Sequence, residues 1–167
     1  DITRVLRAGA DKVALNTAVL RRPSFIDEAV KAFGSSTIMI AIEAIRHQDG
    51  KYFAYTDNGR EFTGVNVIDW AKEVQERGAG EICITSVDRE GTGLGFDNEL
   101  IKQLTAISRV PIIAHGGCGN EFHAVEAIES GGADAVALAS VLHYDLIKIL
   151  KSKNTLEIEG NREFLKR

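Results

Sequence analysis

Five short apolar runs punctuate the chain: KVALN at 12–16, TIMIAIEA at 37–44, EICIT at 81–85, VPIIAH at 110–115 and ADAVALA at 133–139. Each is almost continuously hydrophobic, the pattern of parallel strands covered on both faces. Stretches of helical period lie between them. Phe25, Ile26, Ala29, Val30 and Phe33 recur on one face over 24–33, with Gly34 placed to stop the helix. Ile68, Ala71 and Val74 make a second stripe, closed by Gly78. Asp97 is placed to cap a helix carrying Leu100, Ile101, Leu104 and Ile107. Asn120 is placed to cap another, carrying Phe122, Val125 and Ile128 and stopping at Gly131-Gly132. Such alternation predicts an α/β fold with a parallel sheet. One segment breaks the rhythm: 51–57, then Asn58-Gly59, then 60–65 reads as a β-hairpin inserted near 51–65 on an Asn-Gly turn. Insertions of this kind fall at the functional end of parallel α/β folds. The polar tail after Lys151 is expected to end in a short helix.

An internal repeat narrows the architecture. GADKVALNTAVL at 9–20 and GADAVALASVLH at 132–143 agree at six of their first seven positions, 123 residues apart. That spacing is half of a (β/α)8 barrel of about 250 residues. A strand, a turn and a helix precede the second copy, but only a helix, DITRVLRA, precedes the first. The expectation is one domain over 1–167, a partial (β/α)8 TIM-type barrel of about five βα units in a truncated or engineered chain. An open five-stranded sheet, complete as it stands, is the alternative.

Composition removes several function classes. Twenty Lys+Arg against 24 Asp+Glu give a net charge of −4, with no basic excess for nucleic acid or an anionic membrane. No apolar run approaches the roughly 18 residues of a membrane span, and the N-terminus lacks a signal-peptide core. Cys83 and Cys118 stand far apart without CxxC or His-rich company. A reduced, cytoplasmic setting without metal or cofactor is expected.

In parallel α/β folds the ligand lies at the C-terminal strand ends. Those ends carry Asn16-Thr17, Glu43, Thr85-Ser86, His115-Gly116-Gly117 and Ala139-Ser140. The loop SVDREGTGLGFD at 86–97 places Gly91, Gly93 and Gly95 within five residues, freeing N–H groups to converge on an anion. Gly116, Gly117 and Gly119 precede a helix N-terminus, which favours phosphate. A phosphate cradle of Thr85, Gly91, His115, Gly116, Gly117 and Ser140 follows. The repeat places Asn16 and Thr17 as a second anion locus across the mouth. His115 is read as an acid/base, a phosphate donor or a packed ring. Cys83 is expected in the core, and Cys118 exposed near the phosphate, where a helix N-terminus would lower its pKa without giving it a catalytic role. Asp11 and Asp134 are expected to orient turns, and Asp88 to pair with Arg89.

Taken together, ADKVALNTA, AIEAIR, FAYTDNGREFTGV, DWAKEVQERGAGEICITSVDREGTGLGFD, PIIAHGGCGN and GADAVALASVLH resemble the cyclase subunit of imidazole glycerol phosphate synthase, from histidine biosynthesis. The resemblance covers nearly the whole chain and corresponds to the C-terminal two-thirds of that family's barrel, its strands 4–8. It implies a lyase working with a glutaminase partner in a heterodimer. Ammonia from glutamine would attack a bisphosphorylated ribonucleotide, which then yields imidazole glycerol phosphate and aminoimidazole carboxamide ribotide. Two carboxylates serve as acid and base, and only the fifth-strand position, Glu43, lies in this chain, so the chain alone is expected to be inactive. Lys12 and Glu81 would belong to a charged ring gating ammonia entry. Three residues depart from the family pattern: Glu43 and Glu90 stand where it has Asp, and His115 where it has Ser. They keep open a paralogue that delivers ammonia to an acetamido sugar in surface-polysaccharide biosynthesis. The pathway's isomerase, and a non-catalytic barrel portion that oligomerises through open strand edges, are the remaining alternatives.

Overall fold

A computed structural model describes residues 1–147. Among them the strands are β1 (Val13–Leu15), β2 (Ile38–Arg46), β3 (Tyr52–Thr56), β4 (Glu61–Asn66), β5 (Glu81–Ser86), β6 (Ile112–His115) and β7 (Ala135–Ala137). The helices are α1 (Ile2–Arg7), α2 (Thr17–Arg21), α3 (Ser24–Phe33), α4 (Val67–Glu76), α5 (Asn98–Thr105), α6 (Glu121–Glu129) and α7 (Ser140–His143). The helix expected after Lys151 lies outside the described residues.

The five apolar runs are the five parallel strands, side by side in chain order β1-β2-β5-β6-β7. Strands laid down in sequence with helices between them form an arc of a (β/α)8 barrel. The caps explain where two helices begin: Asp97 accepts from Leu100 N–H at the start of α5, and Asn120 from Phe122 and His123 N–H at the start of α6.

The hairpin β3–β4 joins the same edge of β2 as β1 does. β1 pairs with Ile38–Ile40 and β3 runs antiparallel to Glu43–Arg46, so the hairpin stands beyond the C-terminal end of β1. Its turn differs from the expected two-residue Asn-Gly connection. Thr56 pairs with Glu61, leaving a four-residue loop in which Asp57, Asn58 and Gly59 all have positive φ. The reason is tertiary: Gly59 N–H donates to Glu43 Oε2 at 2.8 Å, and a Cβ at Gly59 would meet Val87 at 2.6 Å.

The two faces of the sheet are not equivalent, which corrects the expectation of cover on both. Ile38, Ile40, Ile42, Ala44, Ile82, Ile84, Ile112 and Ala114 are at most 1% exposed. All but Ala114 share one core with Ile26 and Ala29 of α3, Trp70, Ala71 and Val74 of α4, and Leu100 and Leu104 of α5; Ala114 belongs to a second cluster with Ile101, Ala127 and Val141. The alternate residues Met39, Ala41, Glu43, Glu81, Cys83, Thr85, Ile113 and His115 are only half-buried. Cys83, expected in the core, therefore sits on the open face, where partial burial still raises its thiol pKa.

Candidate functional site at the C-terminal strand ends

Because the five strands are parallel, their C-terminal ends share one end of the sheet, and every predicted anion-binding residue lies there. The register sets three of them in a row on the open face: Glu43 opposite Thr85, Thr85 opposite His115. Thr85 Oγ1 and His115 Nδ1 form a 3.0 Å hydrogen bond, which leaves the other ring nitrogen for a ligand. Glu43 lies two strands from His115, about 10 Å at ordinary strand spacing.

Next to His115 is a cavity of about 100 Å³ lined by Glu90, Gly91, His115, Gly116, Gly117, Cys118, the 137–139 segment and Ser140. Sequence and structure thus agree in gathering Gly91, His115, Gly116, Gly117 and Ser140 at one spot. None of the N–H groups of Gly91, Gly116, Gly117 and Ser140 donates a hydrogen bond among the described residues. Converging unused donors in a small cavity suit an anion. Glycine is obligatory at two of these places. Gly116 and Gly117 have φ of 91° and 101°, and a Cβ would approach Ser86 O to 2.7 Å and Gly95 O to 2.2 Å respectively. Gly95 N–H donates to Gly117 O at 2.8 Å, locking the 86–97 loop onto the Gly-Gly turn.

Three expectations fail here. The α6 N-terminus is not offered to a ligand: Asn120 Oδ1 accepts from Phe122 N–H at 2.9 Å and His123 N–H at 3.2 Å, while His123 Nδ1 takes Gly119 N–H at 3.0 Å. Cys118 is buried, not exposed; its thiol donates to Asn120 O at 3.3 Å, and burial pushes its pKa up, not down. Among the described residues Asp88 forms no ion pair with Arg89; its Oδ2 accepts Arg46 N–H at 2.8 Å, tying the 86–97 loop to the end of β2. Asp134 does orient a turn, accepting Ile112 N–H at 2.8 Å, whereas Asp11 is exposed.

The two ends of the repeat superpose in backbone terms. Asn16 has φ −126° and ψ −90°, and its counterpart Ala139 has φ −128° and ψ −77°, each opening a short helix with Thr17 and Ser140. Asn16 and Thr17 lie at the end of β1, apart from the cavity around Ser140. Asn16 Oδ1 is buried with no hydrogen-bond partner among the described residues. At the opposite end of the sheet, Lys12 Nζ and Glu81 Oε1 form an ion pair, half-exposed on the lysine side. Among the described residues no cluster of His, Cys, Asp and Glu fit for a metal ion occurs.

Residues 1–148 match the profile of the family described as "Histidine biosynthesis protein". The chain belongs to that family. Imidazole glycerol phosphate synthase subunit HisF of Pyrobaculum aerophilum is 46% identical over 161 residues, which cover 96% of this chain and 62% of that protein. The subunit of the same name from Bacillus pumilus is 47% identical over 161 residues, covering 96% of this chain and 64% of that protein. The chain therefore spans less than two-thirds of the length of these relatives.

Glu90, read from the sequence as a departure beside the site, lines the cavity. The structure adds two residues that the sequence did not mark as site residues. Gly59 touches the Glu43 carboxylate. Asp97 binds Tyr52 Oη at 3.0 Å and Ser86 Oγ at 3.4 Å, bracing the cavity loop from behind. Burial, then the Asp97 carboxylate, holds the Tyr52 phenol pKa above its ordinary range. Strand parity could have revealed the common face of Glu43 and Thr85; no sequence signal marks Gly59.

Proposed function

We propose that the chain forms the phosphate-binding, C-terminal part of a cytoplasmic cyclase subunit that turns ammonia and a bisphosphorylated ribonucleotide into imidazole glycerol phosphate and aminoimidazole carboxamide ribotide. One observation carries this reading: the Glu43–Thr85–His115 row that ends at the Gly116–Ser140 cavity, in a chain of this family. One phosphate of the ribonucleotide is held in that cavity by the N–H groups of Gly91, Gly116, Gly117 and Ser140 and by His115. The other is held at Asn16 and Thr17. The reacting part then lies over Glu43, whose carboxylate moves a proton as ammonia adds and the ring closes. Gly59 N–H steadies that carboxylate. Ammonia comes from a partner glutaminase at the far end, past the Lys12–Glu81 pair. The chain alone supplies one of the two carboxylates required and is inactive without the other.

The longer Glu43 and the imidazole of His115 support a second reading, an acceptor other than the ribonucleotide, such as an acetamido sugar. Steady-state assay of the full-length protein with ammonia and the ribonucleotide separates the two. The first reading expects turnover that falls at least about 100-fold in Glu43→Gln. Absence of turnover in the unaltered protein, restored by Glu43→Asp, supports the second.

A further inference from the structure

Within the row Glu43, Thr85, His115, one hydroxyl stands between two acceptors. The register sets Thr85 between Glu43 on β2 and His115 on β6, all three on the half-buried open face. The hydroxyl proton can go to either side, and the two outcomes give His115 opposite characters. Given to Glu43, it leaves Oγ1 to accept from His115 Nδ1–H, and Nε2 keeps a lone pair for the ligand, as a base does. Given to Nδ1, it obliges a neutral ring to carry its own proton on Nε2, as a donor. The contacts favour the second. Glu43 Oε2 accepts Gly59 N–H at 2.8 Å, and among the described residues Glu43 makes no hydrogen bond to Thr85. Thr85 Oγ1 lies 3.0 Å from His115 Nδ1 and has no other partner there.

We infer that Thr85 is the positioning residue that makes His115 a hydrogen-bond donor in both of its charge states, and so fits the cavity to a phosphate monoester. The inference rests on the proposed phosphate reading of that cavity and deepens it. When the ring gains a proton, Nδ1–H donates to Oγ1 and Nε2–H is still left for the ligand. Only a hydroxyl can reverse its role in this way. The cavity lining agrees: His115 shares it with Gly91, Gly116, Gly117 and Ser140, whose N–H groups are unused donors among the described residues. A lone pair among them would oppose the anion they attract. The ionisable groups around the ring are Glu90 and Cys118 in the lining, Arg89 against Gly117, Cys83 two residues down β5, Glu43 along the row and His143 at the end of α7. On the other side β7 sets Ala137 opposite His115, without a charge.

The test takes two readouts from the full-length protein. Nitrogen-15 NMR of labelled histidine reads the tautomer, with the His115 signals assigned by their loss in His115→Gln. At about pH 8.5, where an imidazole is neutral, the unaltered protein should be protonated at Nε2, and Thr85→Val should mix the two tautomers. Calorimetric titration with ribose 5-phosphate reads the consequence. At that pH Thr85→Val should weaken binding about 10-fold. At about pH 5.5, where an imidazole is charged and Nε2 donates regardless, the loss should shrink to about 2-fold or less. Thr85→Ser should bind as the unaltered protein does at both. The surrounding charges are common to all three proteins and cancel in these ratios. A purely structural Thr85 would give equal losses at both pH values, and that result overturns the inference. So does protonation at Nδ1 in the unaltered protein, which would make the ring a base. Absence of ribose 5-phosphate binding by the unaltered protein overturns the phosphate reading, while the tautomer still decides whether Thr85 orients the ring.

Discussion

The covered and open faces of the sheet are built from alternate residues of the same strands, yet they follow different rules. Toward the helices, β2, β5 and β6 contribute Ile and Ala with almost no exposure. One residue along, the same strands present Met39, Glu43, Cys83, Thr85 and His115. Period-two geometry lets one strand serve both tasks without compromise: the covered side defines the fold by excluding water, and the open side is free to carry polar chemistry. The strands read as near-uniformly apolar because the middle of the open face, Met39, Ala41, Cys83 and Ile113, is apolar too, with Glu81 at its N-terminal end and the polar rim at its C-terminal end.

Neighbours on β6 give the sharpest way to break this comparison. Ile112→Ala removes a fully buried side chain from the covered face and should cost about 4 kcal/mol in chemical denaturation. Ile113→Ala, on the open face, should cost about 1 kcal/mol, since much of that side chain already meets water. Equal losses would mean that the two faces are equally covered in solution.

Gly117→Ala attacks the rim, where the two loops interlock. Strained φ and a collision with Gly95 O should together cost about 3 kcal/mol and abolish phosphate binding in a titration. A stable variant that still binds phosphate would show that the loops separate freely.

Tyr52 probes the support behind the rim. Because its phenol pKa is raised in the folded state, the contribution of Tyr52 to stability should be fully present below about pH 10. Above that it should fall by about 1.4 kcal/mol per pH unit as only the unfolded chain ionises. Tyr52→Phe should cost about 1 kcal/mol at neutral pH and flatten the alkaline limb of a stability–pH curve.

The smallest effect belongs to the far end. Lys12→Met breaks a half-exposed ion pair and should change stability by no more than about 0.5 kcal/mol. Its influence, if the gate reading holds, is on ammonia-dependent turnover driven by glutamine, compared with turnover on added ammonia.

Much of this could be read before any coordinates. Apolar runs and helical stripes located the parallel strands and principal helices because burial on the covered face is continuous. The glycine pairs and strand-end polar residues located the cavity because only glycine tolerates that backbone. What escaped was tertiary. Asn58-Gly59 suggested a two-residue turn, but the bond from Gly59 to Glu43 demanded a longer loop. Cys118 looked exposed in a glycine-rich turn and is sealed by the packing of that turn. The α6 N-terminus looked vacant, yet Asn120, correctly read as its cap, already occupies it. Local chemistry was visible in each case; the competing partner for a given donor was not.

The zipped loops have a consequence for traffic through the site. Gly95 N–H is bonded to Gly117 O, and Gly119 is packed against Gly93, so the two segments form one interlocked wall. Under the proposed phosphate reading, exchange of ligand would fall to the opposite wall of the cavity, the short stretch leading into Ser140.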